Sequence, residues 1–194
     1  MAQAQMADNI TEAIDDMIHI LSFSTRNTQE FVSIEEEMSF IHSYLELLQL
    51  RYYNVFDFEI DVAPSVLQCR TLKFLVQPFV ENAVFHAFAG DDRHYDLNVH
   101  VENVEGDILF TISDNGCGIE QERLNELLQQ EMSNKQTMNS IGIGNVSRRL
   151  KLHFGQKYGV SMDSRLGEGT TIRILIPMMV HQSEHNQVRK EGPI

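Results

Sequence analysis

The stretch "ILFTISDNGCGIEQERL", residues 108–124, changes character at its middle. Alternating strand-forming residues run into an acid, an amide and two glycines one residue apart, and then into a polar stretch. A hairpin would need one Asn-Gly or Asp-Gly pair and then a second alternating strand. The polar stretch has the pattern of a helix instead, so the glycines mark a strand-to-helix junction.

Working outward, residues 97–114 alternate apolar and polar on both sides of Gly106-Asp107, which predicts an antiparallel hairpin turning there. The segment "FDFEIDV", residues 56–62, alternates strictly and predicts a half-buried strand. Between these, residues 71–90 carry helical spacing through Leu75, Phe79, Ala83 and Val84. Pro78 either kinks that helix or marks its true start. Downstream, a helix is expected at about residues 120–131, then a long Gly/Ser/Asn-rich mobile loop at 132–144. A further helix, residues 145–154, places Val146, Leu150 and His153 or Phe154 on one face, and "VSMDS" with "TTIRILIP" closes the domain as a hairpin.

At the other end, Ile10, Ile14, Met17, Ile18 and Leu21 recur at helical spacing, as do Ile34, Met38, Ile41, Leu45 and Leu48. These are two amphipathic helices, either packed into the core or forming a hairpin that dimerises. Ser33 with Glu36 predicts a capping box, and the acidic run from Glu35 to Glu37 suits the start of a helix dipole without any ligand. The segment between the helices reads as a polar connection. Helices followed by mixed elements with adjacent antiparallel pairs give an α+β fold class. The expected division is a helical segment at 1–52, a compact domain at 53–180 and a polar tail at 181–194.

The 194 residues include 28 acidic against 15 basic side chains, a formal net charge of -13, with 42% hydrophobic content. That charge, without a basic cluster, opposes a phosphate backbone, so no nucleic acid partner is expected. Cys69 and Cys117 have no paired spacing and read as free thiols of a reducing compartment. No apolar run reaches a membrane span and the start lacks a signal peptide pattern, so the chain itself is expected to be cytoplasmic with no membrane contact. His181 and His185 have the i, i+4 spacing of a metal pair but no third ligand, and read as solvated.

Within "DNGCG", an Asp fixed at a strand end can accept a hydrogen bond from an exocyclic amine. Gly116 and Gly118 permit a tight turn and the approach of a flat ring with no Cβ in the way. Asp114 and these glycines describe a purine seat. "SIGIGN", residues 140–145, adds flexible backbone before a helix whose first N–H groups are unpaired, an arrangement suited to phosphate. Neither spacing is a Walker A loop or a strand-led dinucleotide fingerprint. A third element is "ENAVFH", residues 81–86, with Glu81 and Asn82 adjacent and His86 one turn beyond Asn82. An amide oxygen can ligate Mg²⁺ beside nucleotide phosphates, and a neighbouring carboxylate can accept a proton from a nucleophile.

The segments "VENAVFHA", "DNGCGI", "IGIGNVSRRLKLHFG" and "GEGTTIRILIP", in this order, resemble the N box, G1 box, G2 box and final Gly-Thr motif of the Bergerat-type (GHKL) ATP-binding domain. More narrowly, "YLELLQLRY" followed by "LVQPFVENAVFHA" resembles the LytS/YesM-type sensor histidine kinases of bacterial two-component systems. The likeness runs from about residue 10 to Pro177. It implies a two-layer α/β sandwich with a mixed sheet, preceded by a remnant of the dimerisation and phosphotransfer helices. It also implies ATP and Mg²⁺ as ligands, with Asn82 holding the metal, Glu81 as general base and His86 among the nucleotide contacts. Asp114 would receive the adenine amine with Gly116 and Gly118 shaping its pocket, and Thr170 would support the adenine side. Gly142, Ile143, Gly144 and Asn145 would line the phosphates beneath a mobile lid at residues 132–141.

Three positions depart from the family pattern. No segment matches the acceptor histidine motif, and His19 lacks that context. Phe85 stands where a basic residue often reaches phosphate, and Ser140 replaces the first glycine of the G2 box. The resemblance thus implies the catalytic domain of a sensor histidine kinase, moving the γ-phosphoryl of ATP to a histidine on a segment absent here. The alternative is a nucleotide-sensing or dimerisation module without phosphotransfer. By the same resemblance the parent protein would be a membrane-anchored homodimer serving a response regulator. A gyrase B-like or chaperone-like ATPase fits less well, because of the "YLELLQLRY" helix and the lack of a large following domain.

Overall fold

The computed structural model describes residues 2–25, 29–53, 55–88, 93–124 and 141–180. Two helices lead: α1 (Ala2–Thr25) and α2 (Ile34–Arg51), separated by a short strand β1 (Phe31–Ser33). Strand β2 (Phe56–Val62) comes next, then a single 3₁₀ turn (Pro64–Val66) and β3 (Arg70–Leu72). The remaining elements are α3 (Gln77–Asn82), β4 (Tyr95–Val104), β5 (Asp107–Asp114), α4 (Ile141–Phe154), β6 (Gly159–Arg165) and β7 (Gly169–Pro177).

Five strands form one mixed sheet in the order β2-β4-β5-β7-β6, in which β2 and β4 are parallel and every other pair is antiparallel. The alternation read from sequence sorts the two faces. Leu97, Val99, Val101, Ile108, Phe110, Ile112, Ile172, Ile174 and Ile176 are buried on one face, while Asp57, Glu59, Asp61, Asp96 and Asn98 look to solvent on the other. Helices cover only the apolar face, which makes the expected two-layer α/β sandwich.

The hairpin between β4 and β5 turns one residue earlier than its Gly-Asp pair suggested. Glu105 and Gly106 form the turn, both at positive φ (54° and 89°), and Asp107 already belongs to β5. A two-residue turn of this hand matches the twist of its strands, and register is then set by the buried face.

The capping box at α2 is present, with Glu36 N–H donating to Ser33 Oγ at 3.1 Å and Ser33 N–H to Glu36 Oε2 at 2.8 Å. The connection before it is more structured than its polar composition implied. Phe31, Val32 and Ser33 pair antiparallel with Leu72, Thr71 and Arg70, a ladder too short to leave a periodic signature. Residues 71–76 are consequently strand and turn, and the helix begins at Gln77 with Pro78 in its first turn. Glu37, in the acidic first turn of α2, is fully buried, and its carboxylate accepts N–H bonds from Phe74 (2.9 Å) and Val76 (3.1 Å). Those bonds hold a turn in which Phe74 has φ of 58°, a conformation that costs a side chain about 1–2 kcal/mol.

Helix α1 packs against α2 through its C-terminal half. Phe23 stacks on Phe40 at 4.5 Å and His19 Nδ1 lies 3.0 Å from Ser43 Oγ, so the contacts run in opposite directions along the two helices. The apolar stripe of α1 looks away from the molecule, with Ile14, Met17, Ile18 and Leu21 all at least 50% exposed. Helix α4 starts four residues before the "NVSRRLKLHF" segment, at Ile141, and buries Val146 and Leu150 against the sheet. The helix expected at 120–131 is present as helical residues 121–124, while residues 125–131, the lid at 132–140 and the tail at 181–194 lie outside the described residues.

Candidate functional site

Strand β5 delivers Asp114 to the end of the sheet, where the carboxylate is half-buried. Gly116 N–H donates to its Oδ1 at 2.9 Å. Burial raises the Asp114 pKa, and backbone N–H groups of Gly116 and Thr170 counter part of that rise. Asn115 does something different: its Oδ1 accepts the Asp96 N–H at 2.7 Å and its Nδ2 donates to Asp96 Oδ2 at 2.8 Å. Of the acid and amide in "DNGCG", the amide clips the loop to β4 and leaves the acid facing inward.

Both glycines in this loop are dictated by close approach. A Cβ on Gly116 would lie 2.5 Å from Ala87 Cβ, and one on Gly118, at φ of 65°, would lie 1.9 Å from the Arg165 carbonyl oxygen. The loop is wedged between α3 and the β6–β7 hairpin. It is tied there by Cys117 N–H to Ala87 O (2.9 Å) and Gly167 N–H to Cys117 O (2.7 Å).

Helix α3 carries the second part of the site. Just after Asn82 it widens into a π-turn over Ala83–Ala87, closed by Phe88 N–H to Ala83 O at 3.2 Å. Such turns cluster at functional positions because they rotate the following side chains out of α-helical register. Here the widening brings His86 and Ala87 to the same cavity as Asn82 and Asp114.

That cavity has a volume of about 250 Å³. Phe79, Ala83, Met162 and Ile172 give it apolar walls, and Asp114, Asn82 and Thr170 supply its polar groups. Thr170 is fixed by Ser164, a buried residue that sequence reasoning missed. The Ser164 hydroxyl donates to Gly169 O (3.0 Å), which leaves it to accept from Thr170 Oγ1 (2.9 Å) and from Ile119 N–H (2.8 Å). Gly169 was also missed; a Cβ there would lie 2.0 Å from Asp114 O. Its signal was the Gly-Thr pair in "GEGTT". Arg123 also lines the cavity, and nothing in its sequence context marked it.

The remaining sequence-derived residues fall in two places. Gly142, Ile143, Gly144 and Asn145 lie within the first turns of α4 and not in a loop before it. Their backbone N–H groups include those a helix leaves unpaired at its start. A Cβ on Gly144 would meet open space, and Asn145 Oδ1 accepts from Arg148 Nη2 at 2.9 Å. Glu81 is not among the residues that line the cavity, and its Oε1 accepts from Tyr44 Oη and Gln77 Nε2, each at 2.9 Å. Phe85 is 41% exposed and rests against Tyr52 at a ring separation of 6.1 Å, so that position offers apolar surface and no cation.

A polar carboxylate at the end of an apolar slot suits a flat heterocycle with an exocyclic amine. The Asn82 side chain makes no hydrogen bond to the described residues, so its amide oxygen is uncommitted, and among those residues no cluster of three or more His, Cys, Asp or Glu is present. An uncommitted amide oxygen fits a cation held mainly by phosphate oxygens and water, which is the way Mg²⁺ is usually bound beside nucleotides.

Residues 69–180 match the family described as histidine kinase-, DNA gyrase B- and HSP90-like ATPases, and residues 1–56 match a histidine kinase family. The sensor protein LytS of Bacillus cereus is 33% identical over 156 residues, covering 80% of this chain and 26% of that protein. The sensor histidine kinase YesM of Bacillus subtilis is 26% identical over 177 residues, covering 91% of this chain and 29% of that protein. The chain thus spans about a quarter of the length of these curated relatives. Among solved structures, the catalytic domain of the histidine kinase ThkA aligns with a TM-score of 0.58 at 16% identity, over 78% of this chain and 97% of that one. The histidine kinase domain of the Erythrobacter litoralis EL346 blue-light activated kinase aligns at 0.55 and 15% identity, over 91% and 83% respectively, so both share the fold. The chain belongs to the histidine kinase-, DNA gyrase B- and HSP90-like ATPase family.

Proposed function

We propose that this domain transfers the γ-phosphoryl group of ATP to a histidine carried outside the present chain, in a homodimeric sensor kinase that passes it to a response regulator. The observation that carries the reading is the juxtaposition of Asp114 at the end of an apolar slot with the uncommitted Asn82 amide and His86 at the same cavity. Asp114 accepts the adenine amine, with Gly116 and Gly118 leaving room for the ring and Thr170 bracing that side. Gly142, Ile143, Gly144 and Asn145, at the positive end of α4, attract the phosphates together with His86. Asn82 holds Mg²⁺, which neutralises charge on the phosphates when bound. Glu81 receives the proton of the attacking imidazole. Residues 1–52 serve as the dimerising helical part and 53–180 as the catalytic part. The exposed α1 stripe supports the dimer, since four large apolar side chains on one helix face are left uncovered by this chain. Among the described residues no helix is long and apolar enough to cross a membrane, which supports a domain on the cytoplasmic side of a parent anchored elsewhere.

The test is to supply the chain with the upstream segment of its own parent protein and γ-labelled ATP. Acid-labile label on a histidine of that segment supports the reading. Tight ATP binding with no transfer would support a nucleotide-sensing module, the reading that Phe85 favours by offering no cation near the phosphates.

A further inference from the structure

Glu81 is held by two different helices. Gln77 belongs to α3 itself, one turn before Glu81, whereas Tyr44 projects from α2. Both donate to the same oxygen, Oε1, and Oε2 takes no hydrogen bond from the described residues. A carboxylate pinned through one oxygen presents the other in a fixed direction, which is what a proton acceptor needs.

Tyr44 is itself the end of a packed row of rings. Its ring lies 6.1 Å from Phe40 at an interplanar angle of 15°, and Phe40 stacks on Phe23 of α1 at 4.5 Å and 18°. Phe23 and Phe40 are buried, so the row moves as part of the helix pair. Burial and the adjacent carboxylate push the Tyr44 phenol far above its usual pKa, so it stays protonated and donates.

We propose that Tyr44 is a positioning residue for the phosphoryl transfer, through which the α1–α2 helix pair sets where the Glu81 carboxylate stands. This rests on the reading of Glu81 as the base. A small rotation or slide of α2 that lengthened a 2.9 Å hydrogen bond would release Oε1 to a single donor, without touching the ATP cavity. The device therefore links the helical segment to the chemistry and leaves nucleotide affinity alone.

The test uses the parent protein with its acceptor segment, and measures autophosphorylation rate and ATP KM for wild type, Tyr44→Phe, Glu81→Gln and the double variant. Tyr44→Phe keeps the ring and its packing, and is expected to lower kcat about tenfold with KM unchanged, the loss of one hydrogen bond to a charged group. In the Glu81→Gln background, Tyr44→Phe is expected to add nothing. Equal losses from Tyr44→Phe in both backgrounds, or a loss confined to KM, would show a merely structural tyrosine and overturn the proposal. A slow Glu81→Gln with a wild-type Tyr44→Phe would overturn this inference alone. A wild-type rate in Glu81→Gln would remove the base and the inference with it.

Discussion

Replacing Glu37 by Gln isolates a contest between burial and hydrogen bonding at the joint between the helical segment and the ATP site. Burial raises the Glu37 pKa from 4.5 to about 7, against the lowering effect of the Phe74, Leu75 and Val76 N–H groups and of the Arg149 charge. The rise corresponds to about 3 kcal/mol of differential stability. Because the folded pKa is the higher one, the folded chain binds more protons than the unfolded chain between pH 4.5 and 7. The contribution of Glu37 to stability is therefore complete below about pH 4.5, falls as pH rises through 7 and is gone by about pH 8. Gln cannot titrate, so the difference in unfolding free energy between wild type and Glu37→Gln removes every other titrating group. Urea unfolding from pH 5 to 8 is expected to show that difference moving against the wild type by about 3 kcal/mol. A flat difference would mean that the pKa is ordinary. A difference moving the opposite way would mean that the three N–H groups outweigh burial and hold the anion.

Gly118→Ala combines a positive φ, which costs an alanine ~1–2 kcal/mol, with a Cβ 1.9 Å from a backbone oxygen that cannot swing aside. Chemical denaturation is expected to show a loss above about 3 kcal/mol, and a near-neutral variant would refute the wedged loop. Asn82→Ala is expected to leave nucleotide affinity without Mg²⁺ unchanged and to abolish the gain on adding Mg²⁺; titration with and without the metal checks this.

Much of this architecture could be read from residues because the sheet buries one face only. Strict alternation in residues 56–62 and 97–114 set the strands and the inner face together, though the hairpin turn and with it the register fell one residue from the Gly-Asp pair, and Pro78 marked the first turn of α3. Asp114, Gly116, Gly118 and Asn82 were legible as chemistry, while His86 and Thr170 came from the resemblance alone, and all but Gly116 line the cavity; Gly116 supports it from behind. The features that escaped have physical causes. The β1–β3 ladder is three residues long, below any period. Glu37 sits in an acidic first turn whose neighbours are exposed, and only the tertiary approach of residues 74–76 makes it buried. The π-turn after Asn82 ends at Ala87, whose carbonyl accepts the Cys117 N–H, a contact between segments 30 residues apart that no local pattern shows. Ser164 likewise takes its place from a partner on another element, Thr170, and the Tyr44 contact of Glu81 joins two helices that no local pattern connects.

The most direct measurement is a calorimetric titration of a non-hydrolysable ATP analogue into this chain and into its Asp114→Ala variant, with thermal unfolding of both as a control. Saturation at one site in the wild type, and a loss of at least about tenfold in affinity in a variant that still unfolds cooperatively, is the expected result. Equal affinity in the two proteins would contradict the assignment of Asp114 to the adenine amine, and with it the central reading of the cavity.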